Sequence, residues 1–251
     1  MEAIAIIPAR MAATRFPNKP LANIAGKSMI AHCYLRAMRA KKIKAVYVAT
    51  PDAIIATEIK RLGGNVLMTS YIHQRASDRT AEAMQQLIMQ GEKIDVVVML
   101  QGDEPLINPN DLDRLVMQHE QFPETPVFNL TQSINTQSDF QNPNVVKLIT
   151  ALNNTVLTFS RAPIPYLTAE KFISHQPQKQ LGVISFTRTA LEQFSSLTPT
   201  PLEITESIDL MRFLEHGFSI KVVQTNTIMQ GVDTPEDAKK VTLLMAQEVT
   251  T

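Results

Sequence analysis

Apolar positions along this 251-residue chain follow two alternating rhythms. Short β-rich runs at residues 3–8, 45–50, 65–69 and 95–100 predict strands. Apolar positions three and four residues apart predict helices between and after them, at 30–41, 53–62, 80–89 and 109–121. Such alternation implies right-handed βαβ units and a largely parallel sheet. Asp95-Val-Val-Val-Met-Leu100 is nearly all apolar, as a strand covered on both faces would be.

The rhythm changes after about residue 122. Strand patterns at 127–134, 145–151 and 181–186 follow without helices of similar length, and Pro163, Pro165 and Pro177 cluster there. Helical patterning returns at 203–216 and 235–247, with a strand at 220–224. The expectation is one α/β domain over 1–251. Residues 123–187 form an embedded β-rich extension that carries dimer contacts and part of a substrate wall. No repeat, low-complexity tract or interdomain linker interrupts the chain.

Charge narrows the function classes. Lys+Arg and Asp+Glu both total 24, which argues against bulk binding to nucleic acid or acidic membrane and leaves room for a local anion site. Cys33 stands alone, so neither an intrachain disulfide nor a cysteine zinc cluster is available. No run has the length of a membrane helix, and no basic leader precedes a long apolar stretch. The expectation is a cytoplasmic protein without membrane insertion.

Three segments carry candidate chemistry. After Pro8-Ala9, a loop presents Arg10, Arg15 and Lys19 with no acid among them. Ligands of open α/β sheets bind outside the carboxyl ends of strands, and three cations there suit a nucleoside triphosphate. A solvated basic loop is the plainer alternative. Gln101-Gly102-Asp103-Glu104-Pro105 follows the most apolar strand, where a carboxylate can reach a metal held by substrate phosphates; an ordinary acidic turn is the alternative. In Gly231-Val-Asp233-Thr234-Pro235-Glu-Asp237, Thr234 is expected to cap a helix beginning at Pro235, with Asp237 in its first turn. That leaves Asp233 to point elsewhere. If the two loops meet, Asp103 and Asp233 can share one magnesium ion. Elsewhere, Ser77 is the expected cap of the 80–89 helix. Glu206, Asp209 and Leu210 are expected on one helical face. His32, His119 and His216 read as surface or helix-face residues, with His73 in the pocket loop.

These segments resemble, in order and from end to end, the sugar-acid cytidylyltransferases. The resemblance rests on Ile4–Arg10 with Lys19-Pro-Leu21, Gly63–Ser70, Gln101–Pro105, Phe159–Pro165, Glu206–Arg212 and Gly231–Asp237. It implies a Rossmann-like, GT-A-like nucleotidyltransferase: a three-layer α/β sandwich with a largely parallel mixed sheet. It implies transfer of CMP from CTP to the anomeric hydroxyl of a 3-deoxy-ulosonic acid, with Kdo the nearest acceptor, for lipopolysaccharide or surface-glycan synthesis. Magnesium and a homodimer are implied too. Pro8, Ala9, Arg10, Arg15, Lys19, Asp78, Arg79 and Gln101 would bind nucleotide. Arg79, Gln101, Lys147, Arg161, Gln180 and Glu206 would bind the sugar. Asp103 and Asp233 would carry the metal and, with Arg10 and Lys19, form the catalytic set.

The chain departs from the family pattern in places. Arg75-Ala-Ser77 replaces Ser-Gly-Thr, which makes Arg79, at a matching position, a better candidate than Arg75. Asn18 replaces a glycine and also tolerates a left-handed backbone. Gln180, Ile184, Phe186 and Leu210 replace other polar or aromatic residues. Together these changes predict an altered or relaxed acceptor choice, against which stands simple drift with compensating contacts. Other readings are the same transfer to a modified octulosonic or nonulosonic acid, a GT-A glycosyltransferase, and a non-catalytic nucleotide-binding module. The cationic loop favours a triphosphate over a nucleotide sugar. Joint retention of Lys19, Asp103 and Asp233 argues against a dead module.

Overall fold

All six positions of β1 (Ala3–Pro8) are buried, and alternate residues feed two cores. Ala3, Ala5 and Ile7 enter one, Ile4 and Ile6 the other, as the two-residue period of a strand dictates. The computed structural model describes residues 1–11 and 16–248. A 3-10 turn (Lys19–Leu21) and a small hairpin, β2 (Asn23–Ile24) with β3 (Lys27–Ser28), follow β1. Then come α1 (Met29–Ala37), β4 (Ala45–Thr50), α2 (Ala53–Arg61), β5 (Asn65–Met68), α3 (Ala76–Met89), β6 (Val96–Leu100) and α4 (Pro109–Gln121). The middle of the chain forms β7 (Val127–Ser133), α5 (Gln137–Gln141), β8 (Lys147–Thr150), β9 (Val156–Ser160), α6 (Ala169–His175) and β10 (Gln178–Thr187). The remainder forms α7 (Arg188–Ser196), α8 (Pro201–Glu206), α9 (Leu210–Glu215), β11 (Ile220–Gln224) and α10 (Pro235–Glu248).

The main sheet runs in the order β11-β7-β10-β6-β1-β4-β5. The β6-β1-β4-β5 half is parallel throughout. β10 enters antiparallel between β6 and β7, and β11 returns parallel to β7. One face packs Ile30, Tyr34, Ile59, Leu112 and Leu115 against the sheet. The other packs Met84, Leu87, Leu191, Phe194 and Phe213. The expected three-layer sandwich with a largely parallel mixed sheet is the observed architecture.

Several local expectations are corrected. β7 and the second half of β10 belong to the main sheet, so the segment that leaves it is narrower than 123–187. It comprises α5, β8, β9, α6 and the first half of β10, whose pairing with β7 shifts register between Gln180 and Ile184. α7 starts directly where β10 ends, capped by Thr187, whose Oγ accepts from Ala190 N at 3.1 Å. No loop separates the two, so the sequence carries no punctuation there. The 203–216 helix breaks in two at Ser207, which is left-handed at φ 54°. A third cluster joins Val241 and Ala238 of α10 to Ile24, Met29 and Leu106. It holds the C-terminal helix beside the β2–β3 hairpin.

Candidate active site

The cationic loop leaves the sheet where β1 ends. Ala9 N donates to Ala49 O at 2.9 Å, and Met11 N donates to the Asp52 carboxylate at 2.8 Å. Asn18 is left-handed at φ 58°, as its replacement of glycine allowed, and leads into the turn that carries Lys19. Lys19 Nζ donates to Asp103 Oδ2 at 2.8 Å and to Asp233 Oδ1 at 3.1 Å. The two acidic loops therefore meet. Their backbones are tied as well, Val232 N donating to Asp103 O at 2.9 Å. The expected cap forms beside them. Asp237 N donates to Thr234 Oγ1 at 3.2 Å, while Asp237 Oδ2 accepts from Thr234 N at 3.0 Å and Asp233 N at 3.1 Å. Asp233 is thereby turned toward Lys19.

Burial works against the Lys19 ammonium, but Asp103 and Asp233 outweigh it and raise its pKa. Behind Asp103, burial and then the neighbouring Asp103 charge push the Glu104 carboxyl up to about 7. Glu104 Oε1 accepts from Gly182 N at 3.0 Å, and Gln101 N donates to Gly182 O at 2.7 Å. These bonds fix the irregular part of β10 against the end of β6.

A cavity of about 350 Å³ lies over these groups. Of the expected residues, Pro8, Ala9, Arg10, Lys19, Gln101, Asp103, Asp233 and Arg79 line it. Sequence reasoning missed its apolar floor, Phe16, Pro20 and Met29, for which the pattern carried no signal beyond ordinary core residues. It also missed Arg75 and Asp209 as lining residues. Arg15 lies outside the described residues.

The α3 wall differs from expectation. Arg79 is only 2% exposed. Its donors go to Thr69 Oγ1 at 2.6 Å, Ser70 O at 3.0 Å and His73 O at 3.3 Å, so it orders the loop before α3. The same His73 carbonyl accepts from Arg10 Nη1 at 3.3 Å. The His73 ring, which lines the cavity, is held by Glu82. Ser77 does not cap α3. Arg75 holds that position, and Ser77 N and Oγ, at the second helical residue, donate to Asp209 Oδ2 at 3.2 and 3.0 Å. Asp78 does not line the cavity; it pairs with Arg212 at 2.9 Å, which also engages the buried Glu203 at 2.7 Å.

Four sugar-side candidates sit apart from the cavity lining. Lys147 is fully buried and spends its three donors on the carbonyls of Asn142, Val145 and Arg161 at 3.0, 2.7 and 2.5 Å. Burial, with Arg161 nearby, lowers its pKa to about 8. Arg161 reaches the carbonyls of Glu206, Pro143 and Ser207 at 2.6, 2.9 and 3.2 Å. The Glu206 carboxylate accepts from Ser160 Oγ at 2.6 Å and Arg161 N at 2.9 Å. The break at Ser207 puts Glu206 and Asp209 on separate helices, not on one face. Gln180 lies at the register shift in β10. His119 is not a surface residue: it is fully buried, bonded to Ser185 Oγ at 2.9 Å.

A cytidylyltransferase family model matches residues 4–224. The chain is 41% identical over 250 residues to a 3-deoxy-manno-octulosonate cytidylyltransferase of Geobacter sulfurreducens, covering 96% of this chain and 98% of that one. It is 40% identical to a protein of the same name from Syntrophobacter fumaroxidans, covering 99% and 98%. Among solved structures, CMP:2-keto-3-deoxy-manno-octonic acid synthetase complexed with CTP superposes with a TM-score of 0.88 at 34% identity. That match covers 99% of this chain and 100% of the other.

Proposed function

The chain belongs to the cytidylyltransferase family, and on that premise we propose that it transfers CMP from CTP to the anomeric hydroxyl of 3-deoxy-manno-octulosonate, releasing pyrophosphate. The observation that carries this reading is the convergence of Lys19, Asp103 and Asp233 beside Arg10 in one cavity. The product is an activated sugar acid for lipopolysaccharide or surface-glycan synthesis. The reading carries a cytoplasmic location, because CTP is a cytoplasmic nucleotide.

The donor set at the two loops fits a hard divalent cation. Two carboxylates from different loops already converge on one positive group, the Lys19 ammonium. Among the described residues no larger cage of His, Cys, Asp or Glu forms. Asp103 and Asp233 would thus share magnesium with substrate phosphates and water. Magnesium held there would neutralise phosphate charge and acidify the attacking hydroxyl. Arg10 and Lys19 bind the triphosphate and stabilise charge building on the departing pyrophosphate. Gln101, anchored through Gly182, orients the reacting groups from the end of β6.

The extension supports a homodimer. β9 pairs with β8 alone among the named strands. Leu157 on it and Leu152 before it are exposed, an edge of the kind that a second copy covers.

Pyrophosphate release by the whole protein with CTP, magnesium and Kdo tests the activity. Turnover is expected, and its loss in a folded Asp103→Asn variant. Absence of turnover with Kdo and with modified octulosonic or nonulosonic acids would overturn the reading.

A further inference from the structure

Three of the departures from the family pattern do not shape the cavity at all. Ile184, Phe186 and Leu210 are at most 1% exposed and pack in the core beneath α3, α7 and α9. They therefore touch no acceptor in the cavity. Arg75 is different, because it lines the cavity together with Asp209.

Resting on the activity proposed above, we infer that Arg75 and Asp209 form a hydroxyl-reading subsite for the acceptor, with Arg75 as its specificity-determining residue. A guanidinium carries five N–H donors. Arg75 Nη1 donates to Ser207 Oγ at 2.7 Å and Nη2 to Glu203 O at 3.2 Å, which fixes the plane of the group. Arg75 Nε stands 3.5 Å from Glu203 Oε1 and 3.8 Å from Asp209 Oδ1, with 22% of the Arg75 and 17% of the Asp209 side chain exposed. Both separations exceed a good hydrogen bond, so an oxygen seated beside the Arg75–Asp209 pair, about 2.9 Å from each, can bond both. The other Asp209 oxygen is taken by Ser77.

Only one common substituent satisfies both sides. A hydroxyl accepts from Arg75 and donates to Asp209. An ammonium donates to Asp209 but faces the Arg75 charge. A hydrogen leaves both groups unpaired, and a site built to bond a hydroxyl strongly rejects the analogue that lacks it.

The subsite belongs to the acceptor and not to CTP for two reasons. Arg212 is shared by Asp78 at 2.9 Å and Glu203 at 2.7 Å, so three carboxylates, Asp78, Glu203 and Asp209, face two guanidinium groups, and Arg75 brings no surplus positive charge. A triphosphate calls instead for net positive charge, which the Arg10–Lys19 loop supplies. One anchor of Arg75, Ser207, also lies on the α8–α9 turn, which receives Arg161, while the other, Glu203, lies in α8.

The experiment is steady-state pyrophosphate release by the whole enzyme with Kdo and with analogues in which one side-chain hydroxyl at a time becomes hydrogen or an amine. Failure of the wild type on every acid removes the proposed activity itself. With the wild type active, at least one deoxy position and its amine counterpart are expected to lose about 100-fold in kcat/KM. Arg75→Ser should raise KM for Kdo about tenfold or more, collapse that discrimination below about tenfold and leave KM for CTP within about twofold. Arg75→Lys, the second variant should the serine variant fail to fold, should fall between. A raised KM for CTP with unchanged acceptor ratios, or unchanged ratios in either folded variant, overturns the subsite while the cytidylyltransferase activity stands.

Discussion

Gly182 approaches Gln101 so closely that a Cβ on the glycine would stand 2.9 Å from Gln101 Cβ and 2.9 Å from its Oε1. The first of these atoms is not the end of a flexible side chain, so β10 and β6 would have to part. Gly182→Ala is expected to cost about 1–3 kcal/mol of stability through overpacking. It should also lower kcat/KM at least about tenfold by displacing Gln101. Denaturant unfolding and steady-state kinetics check the two halves. Normal values in both would mean the strands yield without cost.

The Lys19 ammonium occupies the place between Asp103 and Asp233 that a divalent ion would take. Ion and ammonium should therefore compete. Lys19→Met is expected to reduce turnover about 100-fold, yet to tighten Mn²⁺ binding by the nucleotide-free protein at least about threefold. Titration calorimetry reads the second effect. Weaker Mn²⁺ binding in the folded variant would show that Lys19 helps the carboxylates gather the ion.

Lys147 satisfies three main-chain carbonyls from a fully buried position. Lys147→Met should cost about 1–3 kcal/mol by leaving those acceptors unpaired. Its kcat/KM for either substrate should stay within about threefold. The opposite split, intact stability with a large kinetic loss, would return Lys147 to the list of substrate ligands.

His119 gives a pH signature. Burial lowers its pKa from the ordinary 6.5 to about 4. Between those values the unfolded chain holds a proton that the folded chain refuses, so stability is full above about 6.5 and declines as pH falls toward 4. The wild type is expected to lose about 2–3 kcal/mol over that window that His119→Gln does not. Urea unfolding of both proteins from pH 7.5 down to about 4.5 tests this, and parallel curves would refute it.

The sheet was legible because β1, β4 and β6 are apolar on both faces, and such runs have few other uses. The meeting of the cationic and acidic loops was legible because each holds charge that no capping role explains. Asp233 is the clearest case: Thr234, Pro235 and Asp237 account for the helix start and leave it over. The sugar side was not legible. Arg75 and Asp209 touch the cavity through a turn set by the left-handed Ser207, and nothing in Glu206-Ser-Ile-Asp announces a break. Lys147 and Arg161 share family positions, but Lys147 turns back on the carbonyls of Asn142 and Val145 and reaches that of Arg161, while Arg161 meets carbonyls that only tertiary structure brings near.

The three charges that meet at Lys19 arise from points 84 and 214 residues apart along the chain. During synthesis, the cationic loop and Asp103 are complete long before Asp233 leaves the ribosome. Every strand of the sheet is thus synthesised before the second half of the carboxylate pair. The pair is completed by a residue that lies beyond every strand of the main sheet, just ahead of α10.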